Sequence, residues 1–218
     1  MKYYPAFLDV SKKQCLVVGG GAVGTRKVRT LLECDARVTV VSSEFSPRLQ
    51  ALASQNRVTL KNRPYRFQDL EGMFLVIGAT DAEALNRRIS KDAARRNMLC
   101  NIADRPEACN FILPAIVEQG DLVIAISTSG RSPAFAKHLR QKLAAEFGPE
   151  YGRFLDVMGA VREKLLAEKH APEAHKPLFE KLIAAGIVDL IREGDEKKID
   201  ALLREILGAE FSLAFLKC

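Results

Sequence analysis

No stretch of this 218-residue chain approaches the roughly 20 consecutive apolar residues that a membrane-spanning helix needs. The opening "MKYYPAFLDVSKK" lacks the charged start, apolar stretch and small-residue cleavage site of a secretory signal. Together these absences lead to the expectation of a cytoplasmic protein with no membrane partner. Paired cysteines are missing as well. The five cysteines lie scattered at 15, 34, 100, 109 and 218 with no CxxC, which gives neither a metal-ligand spacing nor a disulfide pattern and leaves buried or free thiols as the expectation. Cys218 is read as a free thiol or simply the end of the chain. All three histidines, His138, His170 and His175, come late in the chain, so a zinc-type site or a Ser-His-Asp arrangement has no support. Nor is charge of one sign concentrated: the net charge is +6, yet bases alternate with acids in "VREKLLAEK" and "IREGDEKKIDALLREI", as on solvated helix faces. The basic excess suits nucleic acid, an anionic membrane or a polyanionic small substrate, and by itself selects none of them.

What is present is a core and a rhythm. Hydrophobic residues make up 48% of the chain, and short β-branched runs recur: "CLVVGG" (15–20), "RVTVVS" (37–42), "RVTLKN" (57–62), "MFLVIGAT" (73–80), "MLCNIA" (98–103) and "DLVIAIST" (121–128). Several are apolar on both faces, as strands are when helices cover both sides of a parallel sheet. Between them, "VGTRKVRTLLECD", "SPRLQALASQ" and "DAEALNRRISKDAARRN" carry apolar residues three and four apart. The alternation predicts a doubly wound α/β sheet. After "NFILPAIVEQGD" one more strand leads into "RSPAFAKHLRQKLAAEF", where Ser132 can cap a helix that Pro133 opens. Beyond Gly148 only helical segments are expected, near 150–169, 176–187 and 195–207.

In "CLVVGGGAVGTRK" the spacing Gly19-x-Gly21-x-x-Gly24 falls where a strand ends and a helix begins, the context that a dinucleotide fingerprint requires. Gly19 makes the tight turn, Gly21 lets the backbone approach a pyrophosphate, and Gly24 lets helix and strand pack closely. Ala22 and Val23 stand at the helix N-terminus, whose amides and partial positive charge suit phosphate. The second strand runs into "VVSSEF". Glu44 there lies close to the expected separation of about 20 residues for an acid on the ribose hydroxyls, with Ser42 and Ser43 at the strand tip. In "IGATDAEALN", Gly78 and Ala79 are small enough for a cofactor to pass over, while Thr80 and Asp81 either cap the next helix or touch the cofactor. NAD is the expected cofactor.

A nicotinamide needs a substrate site and a proton acceptor beside it. Asp104 follows the strand "MLCNIA" and should therefore stand at the carboxyl edge of the sheet, with the glycine loop. It could be a general base or, before Arg-Pro, a turn residue. Ser127, Thr128 and Ser129 in "STSGRSP" can turn hydroxyls and amides toward a carboxylate, or form a strand-to-helix turn capped by Ser132. Arg105, Arg131, Lys137 and Arg140 flank this region in sequence.

Taken in order, "YYPAFLDVSKKQCLVVGGGAVGTRKVRTLLECDARVTVVS", "LVIGATDAEALN" and "CNIADRPEACNFILPAIVEQGDLVIAISTSGRSPAFAKHLRQKL" resemble the precorrin-2 dehydrogenase/sirohydrochlorin ferrochelatase family, the N-terminal part of siroheme synthases. The resemblance covers residues 1 to about 147; the rest matches only in being helical. It implies a Rossmann-like NAD-binding domain with a parallel sheet over 1–113 and a middle α/β dimerisation segment over 114–148, and the helical pattern beyond is expected to form a C-terminal domain over 149–218. It also implies a homodimer that oxidises precorrin-2 to sirohydrochlorin with NAD, with Asp104 as the general base. In bifunctional members the same aspartate assists proton removal when Fe2+ enters the ring as substrate. The methyltransferase portion of the fused synthases is not in this sequence, so precorrin-2 is expected from another protein. The tetrapyrrole's carboxylates suit a basic protein, and no nucleic acid is expected. Two rivals stand beside this reading. An NAD-sensing regulatory module would need the glycine loop but not Asp104, and a dehydrogenase for another small substrate would need its own His or Tyr-Lys base, which no stretch supplies.

Overall fold

The computed structural model describes residues 2–167 and 172–214; His170 and Cys218 lie outside them. The chain divides into two compact units, Met1–Leu113 and Pro114–Cys218.

In the first unit, β1 (Gln14–Val18), β2 (Arg37–Ser42), β3 (Val58–Asn62), β4 (Leu75–Gly78) and β5 (Leu99–Ile102) form a parallel five-stranded sheet in the order β3-β2-β1-β4-β5. Helices α1 (Ala22–Glu33), α2 (Pro47–Ser54) and α3 (Glu83–Arg95) make the connections. This is a Rossmann-like α/β fold. Its strands are apolar on both faces because both are covered. Cys15, Val17, Val38, Val40 and Ile77 join Val28 and Leu31 of α1 in one core layer. Leu16, Val18, Val76 and Ile102 meet Ile89 and Ala93 of α3 in the other. Strand order reverses between β1 and β4, so the crevice where such sheets bind ligands opens beyond their carboxyl ends.

The second unit refines two expectations. The strand expected over 121–128 lies in this unit as β7 (Leu122–Ile126) and pairs antiparallel with a strand not foreseen, β6 (Ala115–Gln119), in a two-stranded hairpin. Gly120, at φ +57°, sits in the two-residue turn, where a positive φ at the first position favours glycine. Helix α4 (Pro133–Glu146) opens as anticipated, with the Ser132 hydroxyl accepting from the Phe135 amide at 3.2 Å and proline at its start. Then follow α5 (Pro149–Ala167), α6 (Pro172–Ala184), α7 (Ile187–Glu193) and α8 (Glu196–Leu207). The helix expected over 176–187 stops short at Ala184, and Gly186, in a left-handed conformation at φ +76°, separates it from α7. Val161, Leu165, Leu182, Ile187, Ile199, Leu203 and Phe211 form the core of this part.

Candidate functional site

The glycine loop divides its work among four residues, one more than the sequence pattern named. Gly19 has φ +118°, and a Cβ there would stand 2.2 Å from the Ala79 carbonyl oxygen. At Gly24 it would stand 2.0 Å from the Gly19 oxygen, so both glycines allow close packing as anticipated. Gly20 was not singled out, yet a Cβ on it would meet the Glu44 oxygen at 2.0 Å. Backbone bonds fix the same contact, from the Gly19 amide to the Val41 oxygen and from the Ser46 amide to the Gly20 oxygen, both 2.9 Å. Gly21 differs from all three: a Cβ would meet nothing within 4 Å. Its open face adjoins the start of α1, which has no side-chain cap and no acidic residue in its first turn. The amides of Ala22, Val23 and Gly24 therefore point from a positive helix end into open space, a cradle that fits a pyrophosphate.

Beside it, Ser43 and Glu44 are exposed just past β2. The Thr25 and Ser46 hydroxyls bridge α1 to α2 at 2.7 Å, and a groove of about 490 Å3 lined by Ala22, Thr25, Arg26, Ser46 and Arg48 runs along this side. The nearby cations at the end of β3 and just past it are engaged. Arg63, whose amide bonds the Ser42 oxygen, donates to the buried Asp69 at 2.8 Å, and Lys61 lies 3.6 Å from the same carboxylate. Burial raises the Asp69 pKa, but the Arg63 guanidinium, the Arg66 amide and Lys61 outweigh it and hold the carboxyl below its ordinary value.

Past β4, Thr80 and Asp81 do not cap α3. The capping position is Ala82, with no side-chain bond. The Thr80 hydroxyl instead donates to Asn86 Oδ1 at 2.9 Å, and Asn86 Nδ2 returns a bond to the Thr80 carbonyl at 2.7 Å. A buried asparagine one turn into the helix outcompetes the local cap, because its amide satisfies both groups at once.

Asp104 stands two residues beyond β5. Strand β4 separates β5 from β1, and the loops leave in register: Ala79 N donates to the Val18 oxygen and Ala103 N to the Gly78 oxygen. Glycine loop and carboxylate thus share one edge. The Arg105 amide bonds the Ile102 oxygen at 3.3 Å, which closes a turn with Asp104 at its second central position, φ +59°. Glycine or asparagine is preferred where a turn needs a positive φ there. Here an exposed carboxylate takes the place instead. Arg105 pairs with Glu83 at 3.3 Å and Glu107 at 3.8 Å. Lys27 of α1, half-buried, is another residue the sequence reading passed over. Burial and Arg26 lower its ammonium pKa, while the charge of Asp104 acts in the opposite sense. It therefore places a cation within electrostatic reach of the carboxylate, and the signal was its position one turn after Gly24.

In the second unit, the Ser127 hydroxyl accepts from the Ser129 amide at 3.0 Å. The Thr128 hydroxyl accepts from the Ser132 amide at 3.2 Å and donates to the Ser132 oxygen at 3.1 Å. The Arg131 amide bonds the Thr128 oxygen across Ser129 (φ +54°) and Gly130 (φ +82°). Ser127 and Ser129 are exposed, and of the three hydroxyls that of Ser129 makes none of these bonds. Arg131 and Lys137 are exposed and Arg140 is half-buried. Among the described residues, no group of three or more His, Cys, Asp or Glu could hold a metal ion, and no helix is long and apolar enough to cross a membrane.

Comparisons with known proteins bear on the family and the fold. The family described as "Putative NAD(P)-binding" matches residues 6–115, and that described as "Sirohaem biosynthesis protein central" matches residues 119–146. Siroheme synthase of Nitrosococcus oceani is 33% identical over 97% of this chain and 45% of its own length. Siroheme synthase of Pseudoalteromonas translucida is 35% identical over 96% and 44%. The chain thus spans less than half the length of these curated relatives. A solved structure, "SirC, precorrin-2 dehydrogenase", superposes with a TM-score of 0.79 at 25% identity, covering 94% of this chain and 98% of that one.

Proposed function

We infer that this chain, which belongs to the NAD(P)-binding family of siroheme-biosynthesis proteins, oxidises precorrin-2 to sirohydrochlorin with NAD. The observation that carries the reading is the pairing, on one sheet edge, of an open glycine cradle with a carboxylate held where a turn would favour glycine. Relatives named siroheme synthase and a structural neighbour named precorrin-2 dehydrogenase supply the substrate class.

Gly21 and the Ala22 and Val23 amides hold the pyrophosphate, with Gly19 and Gly24 shaping the loop around it. Ser43 and Glu44 face the ribose, and the Thr80–Asn86 pair fixes the loop beyond β4. NAD is preferred over NADP, because Glu44 is the acid nearest the ribose side while Lys61 and Arg63 are tied to Asp69. A bound nicotinamide supplies the hydride acceptor. Asp104 accepts the proton that precorrin-2 releases as it loses the hydride, so that one hydride and one proton leave for each two-electron oxidation. The Ser129 hydroxyl and the amides of its turn bind a substrate carboxylate. The protein is cytoplasmic and acts as a homodimer. Support for the dimer comes from the β6–β7 hairpin, which packs against α4 and α5 yet leaves Ile116, Val123 and the nearby Phe135 of α4 exposed, apolar side chains that a second copy would cover.

The test is an anaerobic assay with enzymatically generated precorrin-2 and NAD, following tetrapyrrole absorbance and NADH together. NADH forming in step with sirohydrochlorin is expected, and ferrous ion added afterwards reads whether iron insertion resides in the same chain. NAD binding without turnover would instead favour a regulatory, NAD-sensing module.

A further inference from the structure

Strand β5 is an edge of its sheet. Alternate backbone groups face β4, and those of Cys100 and Ile102 face away from it, where an edge must find other partners. They find them in two consecutive side chains. Cys100 N–H donates to Asn110 Oδ1 at 2.8 Å, the Asn110 amide donates to the Cys100 oxygen at 3.1 Å, and Asn110 Nδ2 donates to the Met98 oxygen at 2.8 Å. One position along, Ile102 N–H donates to Cys109 Sγ at 3.1 Å, and the thiol lies 3.3 Å from the Ile102 oxygen and 3.1 Å from the Arg105 oxygen.

Ile102 and Arg105 are the two ends of the turn that carries Asp104. The thiol accepts from the first and has the carbonyls of both within reach of its one proton. We propose that Cys109 is a positioning residue, whose thiol closes the base of this turn and holds the Asp104 carboxylate in place for proton uptake. The proposal rests on the precorrin-2 reading above. A non-glycine residue at φ +59° persists only where its surroundings over-determine it, and the thiol is the side chain that joins both ends beside the long backbone bond from Arg105 to Ile102. Burial raises the Cys109 pKa, so the S–H proton that makes the bridge is retained at neutral pH. From the other side Ser90 of α3 donates to the Ala108 oxygen at 2.8 Å, which anchors the far end of the loop and leaves its base to Cys109.

Cys109→Ala removes both the acceptor and the donor, whereas Cys109→Ser keeps both on a shorter arm. With precorrin-2 and NAD, Cys109→Ala should lower kcat about 10- to 100-fold, the scale of a small misplacement of a reacting group. The NAD Kd should not change, since the cradle is built by the glycine loop. Cys109→Ser should recover most of the lost kcat. Wild-type kcat in Cys109→Ala would overturn the proposal. So would a parallel loss of kcat, NAD affinity and melting temperature in both variants, which would leave only a packing role. Wild-type protein that binds NAD but does not oxidise precorrin-2 would remove the reading beneath the proposal, a result distinct from an active wild type with an equally active alanine variant.

Discussion

Replacing Asp104 by glycine should separate what the turn needs from what the reaction needs. At φ +59° a residue with a Cβ is disfavoured by about 1 kcal/mol relative to glycine. Glycine also gains freedom in the unfolded chain, which costs the native state about 0.5–1 kcal/mol. The two effects nearly cancel, so the melting temperature of Asp104→Gly should stay within about 5 °C of wild type. Asp104 makes no backbone bond that supports the glycine loop, and NAD affinity measured by calorimetry should be unchanged. Dehydrogenation should fall about 10²–10⁴-fold, the usual contribution of a positioned general base. Asp104→Asn, which tolerates the same backbone conformation without a charge, should match that loss, so the defect follows the carboxylate and not the turn. An Asp104→Gly enzyme with more than a small fraction of wild-type kcat would refute the assignment. One that lost NAD binding as well would show that the residue serves the fold of the sheet edge.

The glycine loop gives a contrasting pair: Gly20→Ala should destabilise by about 1–3 kcal/mol in denaturant melts, because its Cβ collides with the Glu44 backbone. Gly21→Asp should melt like wild type, because the space is open, yet lose NAD in a binding titration, because a carboxylate there would repel the pyrophosphate proposed to occupy it. Glu44→Arg should shift preference toward NADP in paired Kd measurements, since a cation would replace the acid proposed for the ribose side. Asp69, held below its ordinary pKa when folded, contributes stability that is present above the unfolded carboxylate pKa near 4 and lost as pH falls through the lower folded value. Asp69→Asn should therefore be less stable at pH 7 and show a flatter decline in melts between pH 5 and 2.

What could be read from the chain was what nearby residues settle among themselves. The strands of the parallel sheet, the Gly19-x-Gly21-x-x-Gly24 spacing and the Ser132-Pro133 helix start are short-range patterns, and each appears where its pattern lies. The misses share one cause, a choice between a local partner and a distant one. Thr80 could cap the next turn and bonds Asn86 instead. "PAIVEQGDLV" carries a hairpin turn at Gly120, but reading 115–119 as a strand required pairing it with 122–126. Gly20 becomes indispensable only when the segment after β2 crosses it, and Cys109 acquires a role only once β5 is known to be an edge.

The same comparison of local with distant demands ranks the candidate residues. A chain selected for folding alone would place glycine or asparagine at a turn position with φ near +60°, as it does at Asn56 and Asn97 after α2 and α3. At Lys12, Asp35, Asp104 and Ser129 it does not; Lys12 and Asp35 precede the amino ends of β1 and β2, whereas Asp104 and Ser129 follow the carboxyl ends of β5 and β7. Asp9 and Ser127 show that carboxylates and hydroxyls in loops usually bond their own backbone neighbours; the Ser129 hydroxyl makes none of the bonds that hold its turn, and the Asp104 turn is closed by backbone and by Cys109. In each case a polar side chain sits at a conformational disadvantage, exposed, with the turn maintained by other groups. That combination is expected where the side chain is kept for a molecule outside the chain. It is also why exchanging Asp104 for glycine should leave the fold intact while removing the chemistry.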